Sequence, residues 1–222
     1  MRSIRFSLMC IFSALCSAAT GQGGFMLGYS VGGFTNHQPN YDILQYKMDV
    51  LYPEADFNIR NGARGVNLGF AYNDENLYME FILSNKAQRS NTTNAYSPAH
   101  NGELYRYKLK MRFNSFNLGV GYGARELKGG ISINFGSIRN MRKFYPDAEF
   151  SSGEWEDAFE LKRYPLLSFT YFVLIHAGPI QIRPYYQMPL LHTSFLGGLW
   201  HYSYKLNNAG ISINLILGKN DY

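Results

Sequence analysis

Two polar side chains near the C-terminus, His201 and Ser203, have a spacing that a nucleophilic hydrolase could use. A serine hydroxyl attacks a carbonyl carbon when a base such as histidine accepts its proton. Residues two apart lie on the same face of a β-strand, so the imidazole and the hydroxyl would share one face. The structural alternative is an aromatic girdle formed by Tyr202 and Tyr204, with His201 and Ser203 facing the other way.

Charged residues on strand-like segments offer a second kind of site. Four cations occupy every second position of one segment: Arg106, Lys108, Lys110 and Arg112. Glu80 lies at a polar position of the preceding segment and is the first candidate to pair with them, and Arg183 lies at a polar position of a later one. If these charges are enclosed, we expect pairing, because a buried unpaired charge costs several kcal/mol. The alternative is the solvated outer face of a soluble strand.

An acidic cluster lies between two of the strand-like segments. Its six members are Asp147, Glu149, Glu154, Glu156, Asp157 and Glu160. Together with the preceding Arg139, Arg142 and Lys143 they could bridge divalent cations and phosphates, or simply form a solvated loop. The histidines are scattered, and neither a metal-ligand cluster nor a phosphate-binding glycine loop is recognisable. We therefore expect no metal and no cofactor.

The elements that must position these residues show alternating apolar and polar side chains, which is typical of β-strands with one apolar face. The predicted segments are 24–34, 66–72, 77–83, 104–113, 116–122, 130–136, 166–176, 180–188 and 211–217. Up to Phe113 the apolar residues are at odd-numbered positions, and from Phe116 they are at even-numbered ones. This change predicts a two-residue hairpin loop at Asn114-Ser115.

These segments predict an all-β, antiparallel up-and-down barrel that crosses a membrane. Nine segments conflict with the even strand numbers of bacterial barrels. We prefer eight strands, with 116–136 either one long strand or a hairpin partly outside the membrane; ten are possible if 194–206 adds a strand. Tight turns at 73–76, 114–115 and 177–179 alternate with long loops, which therefore lie on one side.

The direction of the apolar face decides between a membrane barrel and a soluble one. Glycines with a few long cations on the polar face fit a narrow, filled lumen, whereas the other face is bulky and aromatic, as lipid contact requires. The uneven connections add the asymmetry of outer-membrane barrels. We therefore expect Glu80, Arg183 and the four cations at 106–112 to line the lumen.

The N-terminus predicts export. Of 222 residues, residues 1–21 have the basic start, short apolar stretch and small residues of a signal peptide, with cleavage preferred before Gln22 and an alternative after Ala18. Residues 22–222 form the barrel domain. The only two cysteines, Cys10 and Cys16, fall in the leader. Without Arg2 and Arg5, 19 basic residues face 16 acidic ones, which is too weak a balance to indicate nucleic acid.

The chain from Gly24 to Tyr222 resembles small outer-membrane β-barrel proteins of the OmpX/OmpA type, particularly those of Bacteroidota. The resemblance rests on the leader, the segment Lys-Met-Arg-Phe-Asn-Ser-Phe-Asn-Leu-Gly-Val-Gly-Tyr-Gly at 110–123 and the final strand at 211–217. It implies a monomeric, non-enzymatic protein of the bacterial outer membrane. Its partners would be outer-membrane lipid or lipopolysaccharide, and an envelope protein could bind the long extracellular loops.

Two alternatives stay open at this point. One is a secreted, soluble β-barrel that binds a small apolar ligand. The other follows from a resemblance of His201-Tyr202-Ser203 to the His-x-Ser element of outer-membrane lipid A deacylases, in which the serine is the nucleophile and the histidine its base. In that family an asparagine follows the serine, whereas Tyr204 does here, which removes an expected oxyanion contributor.

Overall fold

Eight strands pair edge to edge until the last meets the first. The computed structural model describes residues 23–35, 57–59, 62–92, 95–96, 104–146, 153–157, 163–190, 193–197, 200–204 and 206–218. The predicted signal peptide lies outside these residues. The barrel strands are β1 (Gly23–Phe34), β2 (Ala63–Asn73), β3 (Leu77–Thr92), β4 (Leu104–Gly123), β5 (Leu127–Pro146), β6 (Tyr164–Ala177), β7 (Ile180–Pro189) and β8 (Asn208–Gly218).

Every neighbouring pair of strands is antiparallel, and β1 pairs with β8 to close the barrel, with Tyr29 opposite Ile213. Short strands extend the wall: Phe57–Ile59 pairs with β3, Ala95–Tyr96 with β4, and Glu156–Asp157 with β5. Thr193–Gly197 and Trp200–Tyr204 pair with each other in a separate sheet. The predicted eight-stranded, all-β, up-and-down barrel is confirmed, and the ten-strand alternative is wrong because this hairpin pairs outside the barrel sheet.

The connections divide the barrel into two unlike ends. Tight turns join β2 to β3, β4 to β5 and β6 to β7, and the start of β1 and the end of β8 lie at the same end as these turns. The turn after β4 is closed by a hydrogen bond from Leu127 N to Ala124 O of 3.2 Å. The turn after β6 contains Gly178 at φ +60°, a left-handed conformation that favours glycine. The four remaining connections are long and lie at the opposite end, as predicted.

The predicted hairpin at Asn114-Ser115 is wrong. Both residues lie inside the continuous strand β4, opposite Ser137 and Gly136 of β5. Met111 and Asn117 are both buried and both point into the barrel, so the strand keeps one parity throughout. What inverts is the chemistry of the two faces. Near the tight turns the outer face is apolar, whereas beyond Asn114 the outer face is cationic and the inner face is apolar.

A proline pair tests this correction. In the interior of β4, Ser115→Pro removes a ladder donor, so we expect the free energy of unfolding to fall by about 1–3 kcal/mol. Arg125→Pro occupies the second position of the real turn, where proline is well tolerated, and is expected to be close to neutral. Urea unfolding in detergent micelles or lipid vesicles measures both variants. A neutral Ser115→Pro with a damaging Arg125→Pro would restore the hairpin at Asn114-Ser115.

An apolar band surrounds the outside of the barrel. Large apolar side chains on all eight strands are exposed, among them Val120 at 53% and Ile213 at 58%. On β4 the outward residues run from Arg112 through Asn114 to Phe116, Leu118, Val120 and Tyr122. The apolar residues from Phe116 to Tyr122 rise about 15 Å along the barrel axis, at about 3.3 Å per residue and a tilt of about 40°. The interval from Arg112 to Tyr122 rises about 25 Å, the height of the apolar band of membrane barrels. No helix in the described part of the chain is long and apolar enough to span a bilayer.

Candidate functional site

Hydrogen-bonded hydroxyls and amides fill the middle of the lumen. Hydrogen bonds link the inward residues of five consecutive strands. Ser30 of β1 bonds to Ser212 of β8 at 2.7 Å and accepts a bond from Asn67 Nδ2 of β2 at 2.5 Å. Ser84 of β3 donates to Asn67 Oδ1 at 2.8 Å and accepts a bond from Asn117 Nδ2 of β4 at 3.1 Å. On the other side, Asn134 of β5 donates to Ser168 and Thr170 of β6, at 3.0 and 2.6 Å, and Gln187 of β7 donates to Ser168 at 2.7 Å. These bonds satisfy polar groups that the closed wall removes from water.

One buried ion pair crosses the lumen. Arg183 Nη2 of β7 donates to Glu80 Oε1 of β3 at 2.6 Å, and both side chains are almost wholly buried. Tyr78 Oη donates to the other carboxylate oxygen at 2.9 Å, and the guanidinium lies 4.3 Å from the centre of the Phe172 ring. Gly119 lies opposite Glu80 and leaves space for it, since a Cβ there would come within 2.6 Å of Glu80 Oε1. The pair braces strands on opposite sides of the barrel.

Apolar side chains close the lumen on both sides of this polar layer. Toward the long loops, one cluster consists of Phe34, Met111, Ile138, Tyr164, Leu166 and Leu206. Toward the tight turns, a second consists of Met26, Ala71, Tyr78, Ile82, Phe172, Leu174, Tyr185 and Ile216. A cavity lined by residues such as Phe34, Lys86 and Gln187 has a volume of about 30 Å³. That is room for one or two water molecules.

The cationic row does not line the lumen. Met111 is fully buried in the inner cluster, so the alternation of β4 places Lys108, Lys110 and Arg112 on the outer face. Arg106 has the same strand parity, but its side chain lies outside the described residues. The prediction that Lys108, Lys110 and Arg112 are lumen charges is therefore wrong, and the same prediction for Arg106 stays a prediction. The physical reason is that β4, with 20 residues, extends past the exposed apolar band, and beyond Asn114 its outer face carries cations in place of large apolar side chains.

Glu80 and Arg183, by contrast, lie together inside. The structure pairs them with each other, whereas the sequence pointed to the β4 cations as partners of Glu80. Lys86 is an inward cation that the sequence reasoning missed. Its Nζ lies 3.2 Å from Tyr185 Oη and 4.4 Å from the centre of that ring. Lys86 lies beyond the predicted segment at 77–83, and its place on the same face as Glu80 and Ser84 is the signal that could have found it.

Sequence reasoning also missed two outward cations, Arg64 of β2 and Arg89 of β3, which are exposed. Arg89 lies opposite Lys110. Ala87 of β3 has Arg64 as its cross-strand neighbour on β2 and Arg112 as its neighbour on β4. A signal for them was present. Each lies on the outer face of its strand, past the last large apolar residue of that face. A change from apolar to cationic side chains along one face of a strand is typical of the edge of a membrane band.

Part of the acidic cluster is paired with β5. Asp157 Oδ1 accepts a hydrogen bond from Arg139 Nε at 2.6 Å, which raises the pKa of the Arg139 guanidinium, and Glu156 lies 3.5 Å from Arg142 Nε. Glu154 is exposed. The other three acids, Asp147, Glu149 and Glu160, lie outside the described residues. Within the described ranges, no group of His, Asp or Glu side chains could hold a metal ion.

The serine and histidine of the predicted hydrolase element lie on the separate hairpin. His201 is opposite Leu196, and Ser203 is opposite Ser194. They are therefore outside the barrel sheet instead of on one of its last strands. Their side chains lie outside the described residues, so the hydroxyl–imidazole geometry stays a prediction.

Three solved structures are similar to the chain in overall fold. Ail, the attachment invasion locus protein of Yersinia pestis, solved with the heparin analogue sucrose octasulfate, is 12% identical, with 89% of this chain and 99% of that chain covered and a TM-score of 0.44. Neisserial surface protein A is 9% identical, with coverages of 86% and 96% and a TM-score of 0.45. The outer membrane protein AlkL is 14% identical, with coverages of 91% and 93% and a TM-score of 0.40. No protein-family model and no curated protein matches the sequence. These similarities are too distant to bear on function, and the expected relation to Bacteroidota proteins stays a prediction.

Proposed function

We propose that the protein is a non-enzymatic integral β-barrel of a bacterial outer membrane, exported by the leader at 1–21, with a sealed lumen and its long loops outside the cell. The observation that carries the proposal is the inverted distribution of side chains. Apolar residues such as Val120 and Ile213 are exposed around the barrel, whereas Glu80, Arg183 and the amide–hydroxyl network are enclosed. A surface this apolar is unfavourable in water and suits acyl chains.

Cell fractionation combined with gel migration tests this proposal. The protein is expected in the outer-membrane fraction, and it should migrate faster in an unboiled sample than in a boiled one because the folded barrel is compact. Recovery in the periplasmic or culture fluid would instead support the soluble, ligand-binding barrel. The filled lumen argues against that alternative, because the cavity of about 30 Å³ that the described residues enclose does not admit an organic ligand.

The sealed lumen predicts the absence of porin-like conduction. An eight-stranded barrel has an interior just wide enough for side chains, and here two apolar clusters and the Glu80–Arg183 pair occupy it. Purified protein in planar bilayers is therefore expected to show no steady single-channel steps, and liposomes that contain it should exclude small sugars. Steady conductance in the folded, heat-modifiable form would contradict a sealed lumen.

The long-loop end is the proposed contact surface. Strands β4 and β5 each contain 20 residues and continue well past the apolar band, so they carry the wall of the barrel into the solvent on that side. We place any envelope or surface partner at this end. The hydrolase alternative is tested by Ser203→Ala: a change in lipid A acylation between cells that express the two forms would reinstate an enzyme.

A further inference from the structure

A cationic groove lies on the outer wall of the barrel, directly beyond the apolar band on the long-loop side. It has a volume of about 500 Å³. The four cations that line it come from three adjacent strands: Arg64, Arg89, Lys110 and Arg112. Its membrane-side border includes the apolar outward residues Tyr29 and Val66. No carboxylate is among its described lining residues.

The charges of this groove repel one another within the protein. Arg89 and Lys110 are cross-strand neighbours, which brings their side chains to within about 5 Å at Cβ, and like charges in that arrangement are destabilising. Burial lowers the pKa of Lys110, and the positive charges of Arg89 and Arg112 lower it further. Lys110 Nζ also lies 5.5 Å from the centre of the Trp155 ring, which helps to fix its position. An external anion would relieve the repulsion between these cations.

A second recess continues the groove toward the bilayer. It has a volume of about 420 Å³ and shares Val66 and Asn85 with the cationic groove. Its other lining residues include the outward apolar side chains Leu68, Leu83 and Phe116. The recess is open, and most of the large side chains that line it are apolar, so an acyl chain fits it.

The two recesses together have the polarity profile of a lipid. Along the outer face of β4, cationic Lys110 and Arg112 are followed by Asn114 and then by Phe116 and Leu118. With the membrane placement proposed above, the cations lie at headgroup height, where anionic phosphate is available. Arginine side chains bind phosphate with charge-assisted hydrogen bonds, and two or more around one phosphate are a common recognition geometry.

We propose that this groove binds a phosphate of the phosphorylated glycolipid in the outer leaflet, with one acyl chain in the recess below. This inference rests on the proposed function, since only a membrane-inserted barrel with its long loops outside brings the groove to that leaflet. Asn85 and Asn114, which are opposite each other on β3 and β4, lie between the headgroup and the acyl chain.

Lipid binding to the full mature barrel in detergent tests the proposal. The probes are lipid A with both phosphates and the same lipid after enzymatic removal of its phosphates, and binding is followed by native mass spectrometry. We expect Arg89→Gln with Lys110→Gln to weaken binding of phosphorylated lipid A at least tenfold and to leave the weak binding of dephosphorylated lipid unchanged. Arg125→Gln, which removes an exposed cation at the tight-turn end, is the matched control and should change affinity less than twofold.

The outcomes separate this inference from the proposed function. Unboiled gels of each variant report whether the barrel is folded and inserted. If wild type and variants all fold but bind both lipids equally well, the phosphate groove is wrong and the membrane barrel stands. If wild type itself does not enter the outer membrane, the proposed function is wrong. Competition by inorganic phosphate at the same concentration as the lipid would show a free-phosphate site and would also overturn the lipid assignment.

Discussion

Replacing Glu80 by glutamine is expected to lower the free energy of unfolding of the barrel by about 3–5 kcal/mol. The carboxylate is the ion-pair partner of Arg183 inside the lumen, at 2.6 Å, and its removal leaves a guanidinium buried without an anion. The nearly equal size of glutamine keeps the shape of the site, so the loss reports charge more than packing. Urea titration of the protein folded into lipid vesicles, followed by the gel-migration shift, gives the free energy.

Two further variants separate the ion pair from other causes. Glu75→Gln removes an exposed carboxylate from the turn between β2 and β3 and should change stability by no more than about 0.5 kcal/mol. Combining Glu80→Gln with Arg183→Met removes both charges of the pair, and we expect it to recover most of the loss, because neither member of the pair is then buried without the other. A Glu80→Gln protein as stable as wild type would mean that water screens the pair, and the sealed lumen would be wrong.

A cation in the middle of the outer band is expected to be similarly damaging. Leu118 is exposed on the outer face of β4, about midway between Arg112 and Tyr122. At such a depth an arginine on the lipid face costs about 2–4 kcal/mol, so Leu118→Arg should lower stability by that amount and reduce the yield of inserted barrel. Equilibrium unfolding in vesicles measures the first effect, and the heat-modifiable fraction in cells measures the second.

Asn114→Arg is the matched control for depth. Asn114 is on the same strand with the same parity, four residues closer to the long loops and next to Arg112. The cost of arginine near the interface is about 0–1 kcal/mol, so the two variants should differ clearly. Equal costs at the two positions would remove the bilayer boundary that is placed between them.

The sequence predicted the parts of the strands that carry the apolar band well, because each has unlike environments on its two faces. Period-two alternation records that contrast, and it located β1, β2, β6, β7 and β8 to within a few residues. The same property explains the error at Asn114-Ser115. Alternation reports a contrast between the two faces of a strand. When the outer face changes from apolar to cationic and the inner face from polar to apolar, the pattern inverts without any turn.

The sequence placed Glu80 and Arg183 on the correct face of their strands but did not show that they pair with each other. Glu80 and Arg183 were both assigned to the lumen from their strand positions, yet they are 103 residues apart, and only the closed barrel shows that β3 and β7 face each other at that height. Lys110 and Arg112 were assigned to the wrong side of the wall, because they were placed by the polarity of their segment. Following every second residue of β4 from Phe116 toward the long loops would have placed them on the outer wall. The same procedure on β2 and β3 would have pointed to Arg64 and Arg89.

Fluorescence quenching at two positions of β4 tests most directly that one uninterrupted strand passes from lipid into water. The only native cysteines are Cys10 and Cys16 in the predicted leader, so the mature chain can carry single cysteines at Val120 and at Lys110, each labelled with a small fluorophore. Brominated acyl chains should quench the label at Val120 and spare the one at Lys110, whereas iodide in the aqueous phase should do the reverse. A label at Lys110 that is shielded from both quenchers, as an enclosed lumen position would be, contradicts this arrangement.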